Sequence, residues 1–142
     1  MTVSLVKVKR NVNQPKEAVA EVKTALKLGR MEEFTQILRD GTPKGVVEAN
    51  YGDSNYKHVP LLMFIINHPL PMEKRADAFR RAIEAGASPD EDVRTHIKRS
   101  YEYYYKMAQG NRLPRSYIEE KALPQVDFFK RLSSIANLGI DG

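Results

Sequence analysis

Three histidines, His58, His68 and His96, are the obvious candidates for metal or acid–base chemistry. None is followed by a second ligand three or four residues on. The chain has no cysteine, which removes thiolate metal sites, disulfides and a cysteine nucleophile together. His58, close to Pro60, reads as a turn residue, and His68, before Pro69, as a helix-end residue near free carbonyls. Asp90-Glu91-Asp92 is compact and acidic, but negative charge at a helix start accounts for it. Gly41 and Gly45 lack the preceding strand and the following Lys-Ser/Thr of a phosphate loop. No serine sits in a nucleophile-elbow motif. The residues point away from catalysis, with neither metal nor cofactor expected.

Binding chemistry is better represented. Tyr101, Tyr103, Tyr104 and Tyr105 fall within five residues. At 100° per residue, Ile97, Tyr101, Tyr104 and Ala108 share one helix face and are expected in a core. Tyr103 falls instead with Lys98, Arg99, Glu102 and Lys106 on the charged side, where an aromatic ring suits a binding anchor. Arg99, Tyr103 and Lys106 are thus one candidate partner surface. The loop over 46–58 is the other, because Tyr51, Asp53, Asn55, Tyr56, Lys57 and His58 combine rings with mixed hydrogen-bonding groups. Loops on rigid scaffolds commonly carry function. A plain solvated connection, with Tyr56 tucked onto the helices, is the competing reading of that segment.

The elements that must hold these residues read as helices. Pro15 suits the first helical position, Val19, Val22, Ala25 and Leu26 form a stripe, and Gly29 ends it. A second helix starts with Glu32 and Glu33, buries Phe34, Ile37 and Leu38, and stops at Gly41. Residues 42–58 carry turn chemistry, with Val46-Val47 and Tyr56 able to pair in one small β-hairpin. Pro60 opens a third helix, apolar all round and so expected to have neighbours on every side. Pro69 and Pro71 end it and open a fourth, lined by Met72, Ala76, Phe79 and Ile83 and stopped by Gly86.

Ser88-Pro89-Asp90-Glu91 reads as a capping box, with Ser88 as the cap, Pro89 first in the helix and Glu91 reaching back. That helix runs to about Met107. Ser116-Tyr117-Ile118-Glu119 reads as a second box. Pro124 then introduces the last helix, where Phe128, Phe129, Leu132 and Ile135 lead up to Gly139. Residues 1–14 alternate in places and suit a short strand or an arm.

The chain has 142 residues, enough for one domain that buries roughly two thirds of its unfolded surface. Its net charge of +5 is spread thinly. Residues 1–71 carry ten basic and seven acidic side chains, and residues 72–142 thirteen and eleven. A mildly basic, mixed-sign surface favours an acidic partner. The longest apolar run, Val59 to Ile66, is far short of the ~20 residues of a membrane span. No secretory leader is visible, and a cysteine-free chain suits the cytoplasm.

Recurring units of apolar stripe and glycine suggest a stack of helical repeats. Ala82-Ile83-Glu84-Ala85-Gly86-Ala87-Ser88-Pro89-Asp90 resembles the outer-helix ending of the ankyrin-repeat family. Val59-Pro60-Leu61-Leu62 resembles the turn that opens its inner helix, and Leu28-Gly29-Arg30-Met31-Glu32-Glu33-Phe34 its link between paired helices. Val59 and Leu62 stand where the family has threonine and histidine. The resemblance covers about residues 16–90 and reaches 91–142 only by extension. It implies a degenerate ankyrin-like stack of about three helix pairs that binds through hairpin tips and its concave face.

The expectation is therefore an all-α chain, with room for one hairpin, forming a single domain over 15–142. Its expected function is non-catalytic protein binding, as an adaptor or as a stoichiometric inhibitor of immunity type. The alternative is a basic protein associated with nucleic acid through phosphate contacts. Five basic pairs serve that reading: Lys74-Arg75, Arg80-Arg81, Lys98-Arg99, Arg112/Arg115 and Lys130-Arg131. Acidic residues interleave with them, and no nucleic-acid-binding motif is present.

Overall fold

The computed structural model describes residues 15–40, 46–52, 58–110 and 112–139. The expected arm or strand over 1–14, the helix stop at Gly41 and the tip of the 46–58 loop lie outside them. Among the described residues every regular element is helical, so the all-α expectation holds. By its contacts the chain divides between Ala87 and Ser88 into two compact units.

The first unit contains α1 (Pro15–Lys27), α2 (Met31–Asp40), α3 (Leu61–Ile66) and α4 (Met72–Glu84). α1 packs on α2, and α4 packs on both α2 and α3. Val22, Ala25, Leu26, Phe34, Ile37 and Phe79 are buried together with Leu61, Leu62 and Ile65. The Gly29 turn is a Schellman motif. Gly29 adopts φ +69°, its N–H donates to the Leu26 carbonyl and that of Arg30 to the Ala25 carbonyl. Gly86, at φ +111°, repeats the arrangement through Ile83 and Ala82. Each turn satisfies carbonyls that a helix end otherwise leaves bare.

At six residues, α3 is too short to persist by its own hydrogen bonds. Arg75 of α4 holds its end, donating from Nη1 to the Ile66 carbonyl at 2.6 Å and from Nε to the Leu70 carbonyl at 2.9 Å. A second arginine ties α4 to α2. Arg81 donates to Thr35 Oγ1 at 2.6 Å and to the Met31 carbonyl at 3.2 Å, while Asp77 holds its Nε at 3.0 Å. The expected enclosure of α3 is only partial, because Met63 and Phe64 are half-buried. Phe64 is flanked by Tyr51 at 5.6 Å and His68 at 5.2 Å, with Lys23 Nζ 5.5 Å above its ring.

The second unit contains α5 (Glu91–Gln109), α6 (Arg115–Tyr117), a π-helical turn (Ile118–Ala122) and α7 (Leu123–Ala136). α5 packs on α7 and on the π turn, around Val93, Ile97, Ala122, Phe128, Phe129 and Leu132. Four local expectations are corrected in this unit. The cap of α5 is Asp90 rather than Ser88, its carboxylate accepting from the Val93 N–H at 2.8 Å. The second capping box does not form: Pro114 precedes α6 and no side chain caps it.

Pro124 does not open the last helix but sits inside a continuous one. A proline in an α-helix loses a hydrogen bond and collides with the carbonyl four residues back. Immediately before Pro124 the helix widens into a π turn, the Leu123 N–H reaching five residues back to the Ile118 carbonyl. The stop also differs. Asn137 takes the left-handed conformation at φ 59°, two residues before the expected Gly139. The N–H groups of Asn137 and Leu138 complete a Schellman turn with the Ser134 and Ser133 carbonyls.

Candidate functional site

Of the 46–58 segment, the described residues are 46–52 and His58. Val46 and Val47 are buried in a turn, with no strand over 46–52. Tyr51 is corrected from a displayed ring to a core residue, 1% exposed, with its hydroxyl donating to the Val46 carbonyl at 2.8 Å. Burial pushes that hydroxyl's pKa well above its ordinary value of 10.0. Asp53, Asn55, Tyr56 and Lys57 lie outside the described residues. His58 is exposed. Asn50, which the sequence reading passed over, clamps the base of the segment, its Oδ1 accepting from the N–H groups of Gly52 and Val59, both at 2.9 Å.

α5 offers more. Its buried stripe is confined to Val93 and Ile97. From Tyr101 onward every residue is at least partly exposed, so the expected burial of Tyr101 and Tyr104 is incomplete. Tyr104 lies on Phe129 with ring centroids 6.1 Å apart and planes 10° from parallel. Phe128 braces Phe129 edge-on at 5.0 Å, and Tyr103 meets Tyr104 edge-on at 5.0 Å. Tyr103 is 60% exposed, yet it ends a chain of rings that begins in the core of the unit. That support limits the entropy lost when the ring is covered by a partner.

Tyr103 also lines a groove of about 500 Å³ with Lys106, Met107, Gly110, Arg112 and Leu113. Its position follows from local structure. Tyr103, Lys106 and Met107 share one face over the last turns of α5. Gly110 then leaves the helix in an extended conformation, φ −79° and ψ 164°, and Leu113 follows before Pro114. Lys106 and Arg112 make no ion pair among the described residues, whereas Arg115 is matched by Glu119 at 3.1 Å. Arg99, exposed one turn before Tyr103, does not line the groove.

Two of the three residues chosen on α5 thus meet in one concavity. Met107, Arg112 and Leu113 were missed as its partners. Met107 could have been found, since it lies four residues beyond Tyr103. Leu113 could not, because it lies beyond the end of α5 and outside its helical frame. Large exposed apolar side chains concentrate in this unit: Tyr103, Tyr105, Tyr117 and Leu123, against Leu28 in the first. Among the described residues, no three His, Asp or Glu side chains gather where they would hold a metal ion. No helix there is long and apolar enough to cross a membrane.

Comparison with known proteins finds no family model, no curated protein and no solved structure that matches this chain.

Proposed function

We propose that the chain is a non-catalytic protein-binding module, an adaptor or a stoichiometric inhibitor, whose contact surface is the groove beside Tyr103. One observation carries this reading: an aromatic ring that is largely exposed, yet braced through Tyr104 and Phe129, borders an apolar hollow lined also by two cations that make no ion pair among the described residues. Interfaces draw most of their energy from a few such anchors set in concave, apolar surroundings. The Schellman turns at Gly29 and Gly86 are compatible with a degenerate ankyrin-like scaffold. The absence of cysteine suits the cytoplasm.

Phosphate-led binding of nucleic acid is the second reading. It draws on Lys98, Arg99, Lys106 and Arg112, none of which makes an ion pair among the described residues. The two readings separate by photo-cross-linking in cells, with a benzophenone amino acid in place of Tyr103. A discrete protein adduct that survives nuclease treatment and is lost in Met107→Glu supports the first. Adducts that consist of nucleic acid, or that vanish with nuclease, overturn it.

A further inference from the structure

We infer that the groove takes an acidic peptide segment carrying one large apolar side chain between its carboxylates. This deepens the protein-binding reading and rests on it. The lining is largely apolar, with Met107, Leu113 and the ring of Tyr103 among it. An unbranched methionine adapts to differently shaped apolar groups, so the lining suits an aromatic or aliphatic side chain alike. A volume of about 500 Å³ is at the scale of one such side chain with its flanking backbone.

Charge selects the flanks. Lys106 and Arg112 both line the groove, and neither charge is taken by a carboxylate of the described chain. Along α5 the acidic residues Asp90, Glu91 and Asp92 stand at the N-terminal end, and Glu102 is the sole carboxylate in the remainder of the helix. Asp92 and Lys106 are about 21 Å apart along the axis at 1.5 Å per residue. That is more than two Debye lengths at about 8 Å in physiological salt, so the acidic end leaves the field at the groove intact. A peptide with carboxylates on either side of its apolar residue meets both cations as that residue enters.

Nucleic acid fits less well. A single strand needs cations along a track and a ring for each successive base, whereas this hollow offers one exposed ring and two cations in a largely apolar lining.

Fluorescence anisotropy with the full chain tests the proposal, using four labelled ten-residue peptides. One has a phenylalanine flanked by glutamates, the second glutamines in their place, the third lysines, and the fourth retains the glutamates with serine for phenylalanine. The acidic phenylalanine peptide is expected to bind at least tenfold tighter than each of the others. Doubling the salt should weaken it, and Lys106→Glu with Arg112→Glu should reverse the preference toward the lysine peptide. That reversal depends on a folded groove, so it distinguishes lost charge from lost structure.

Equal binding of acidic and neutral peptides overturns the inference, as does tighter binding of a thymidine oligonucleotide or self-association of the chain through the groove. If the acidic preference is absent while the cross-linker at Tyr103 still captures a discrete protein, this inference fails and the protein-binding reading stands. If the cross-linker captures no protein, that reading has failed as well.

Discussion

Tyr104 lies nearly parallel to Phe129, 6.1 Å centroid to centroid, and this stacking ties α5 to α7 next to the exposed Tyr103. Phe129 does not line the groove, yet it supports the ring that does. Phe129→Leu should therefore weaken binding of the acidic phenylalanine peptide while leaving Lys106 and Arg112 in place. A stacked pair holds about 0.5–1.5 kcal/mol, which sets the expected loss at up to about tenfold. Anisotropy titration of the variant checks it, with circular dichroism to establish that the helices persist.

The α5 cap distinguishes two neighbouring residues. Asp90 accepts from the Val93 N–H, so Asp90→Ala should cost about 1 kcal/mol. Ser88→Ala should stay within about 0.5 kcal/mol, as for a surface change that removes no structural bond. Urea denaturation of the two variants ranks them, and the opposite order would restore Ser88 as the cap.

Gly86 has open space around the position a Cβ would occupy. Its φ of +111° makes the cost of a side chain purely conformational. Gly86→Ala should lose about 1–2 kcal/mol without any rearrangement of neighbours. Thermal melting combined with an unchanged amide spectrum away from residues 84–88 is the expected pattern.

Tyr51 should resist ionisation. Its hydroxyl is buried and donates to the Val46 carbonyl, and burial raises its pKa. An alkaline titration followed by phenolate absorbance should retain one un-ionised tyrosine until the chain unfolds. Tyr51→Phe should remove that late step and cost about 1–3 kcal/mol, since the Val46 carbonyl loses its buried donor.

Acid stability should depend on His68 and His96. Burial lowers the pKa of both, with the Arg75 charge adding to the effect at His68. His68 Nδ1 is buried with no hydrogen-bond partner among the described residues, and His96 meets Phe129 edge-on. Well above pH 6.5 both rings are neutral, folded or unfolded, and contribute no pH dependence. As pH falls through 6.5 the unfolded chain takes up protons that the folded chain resists, so stability falls. The loss levels off below the lowered folded values. Denaturation between pH 7.5 and 5.5 should show this decline, flattened in the His68→Gln, His96→Gln double variant.

Periodicity made much of this fold legible. The stripes Val22/Ala25/Leu26 and Phe34/Ile37/Leu38 are buried as their spacing requires, and Gly29 and Gly86 end their helices in the left-handed conformation. The failures share a cause, which is competition between overlapping local signals. Ser88 and Asp90 are both good caps in one four-residue stretch, and the Asp90 carboxylate is the one that engages a backbone donor. Asn137 and Gly139 both tolerate positive φ, and the helix takes the earlier stop. Pro124 looks like a start because a π turn leaves no mark in composition. Tyr51 has no periodic frame, so its loop sequence could not reveal its burial. On α5 the helical frame exposed Tyr103 correctly, but the groove also needs Leu113, which lies past the helix end where that frame no longer applies.

The π turn before Pro124 has a mechanical consequence. It stores one surplus residue between the two helical segments it joins. Deleting a single residue within 118–122 would take up that slack and let the segments rejoin as continuous α-helix at the cost of a proline kink. The side chains ahead of it, Tyr117 and Arg115 among them, would swing by about 100°, while Phe129 and Leu132 stayed seated against α5. Pro124 therefore sets the phase of one helical segment independently of the other, as a keyed coupling does between two lengths of shaft.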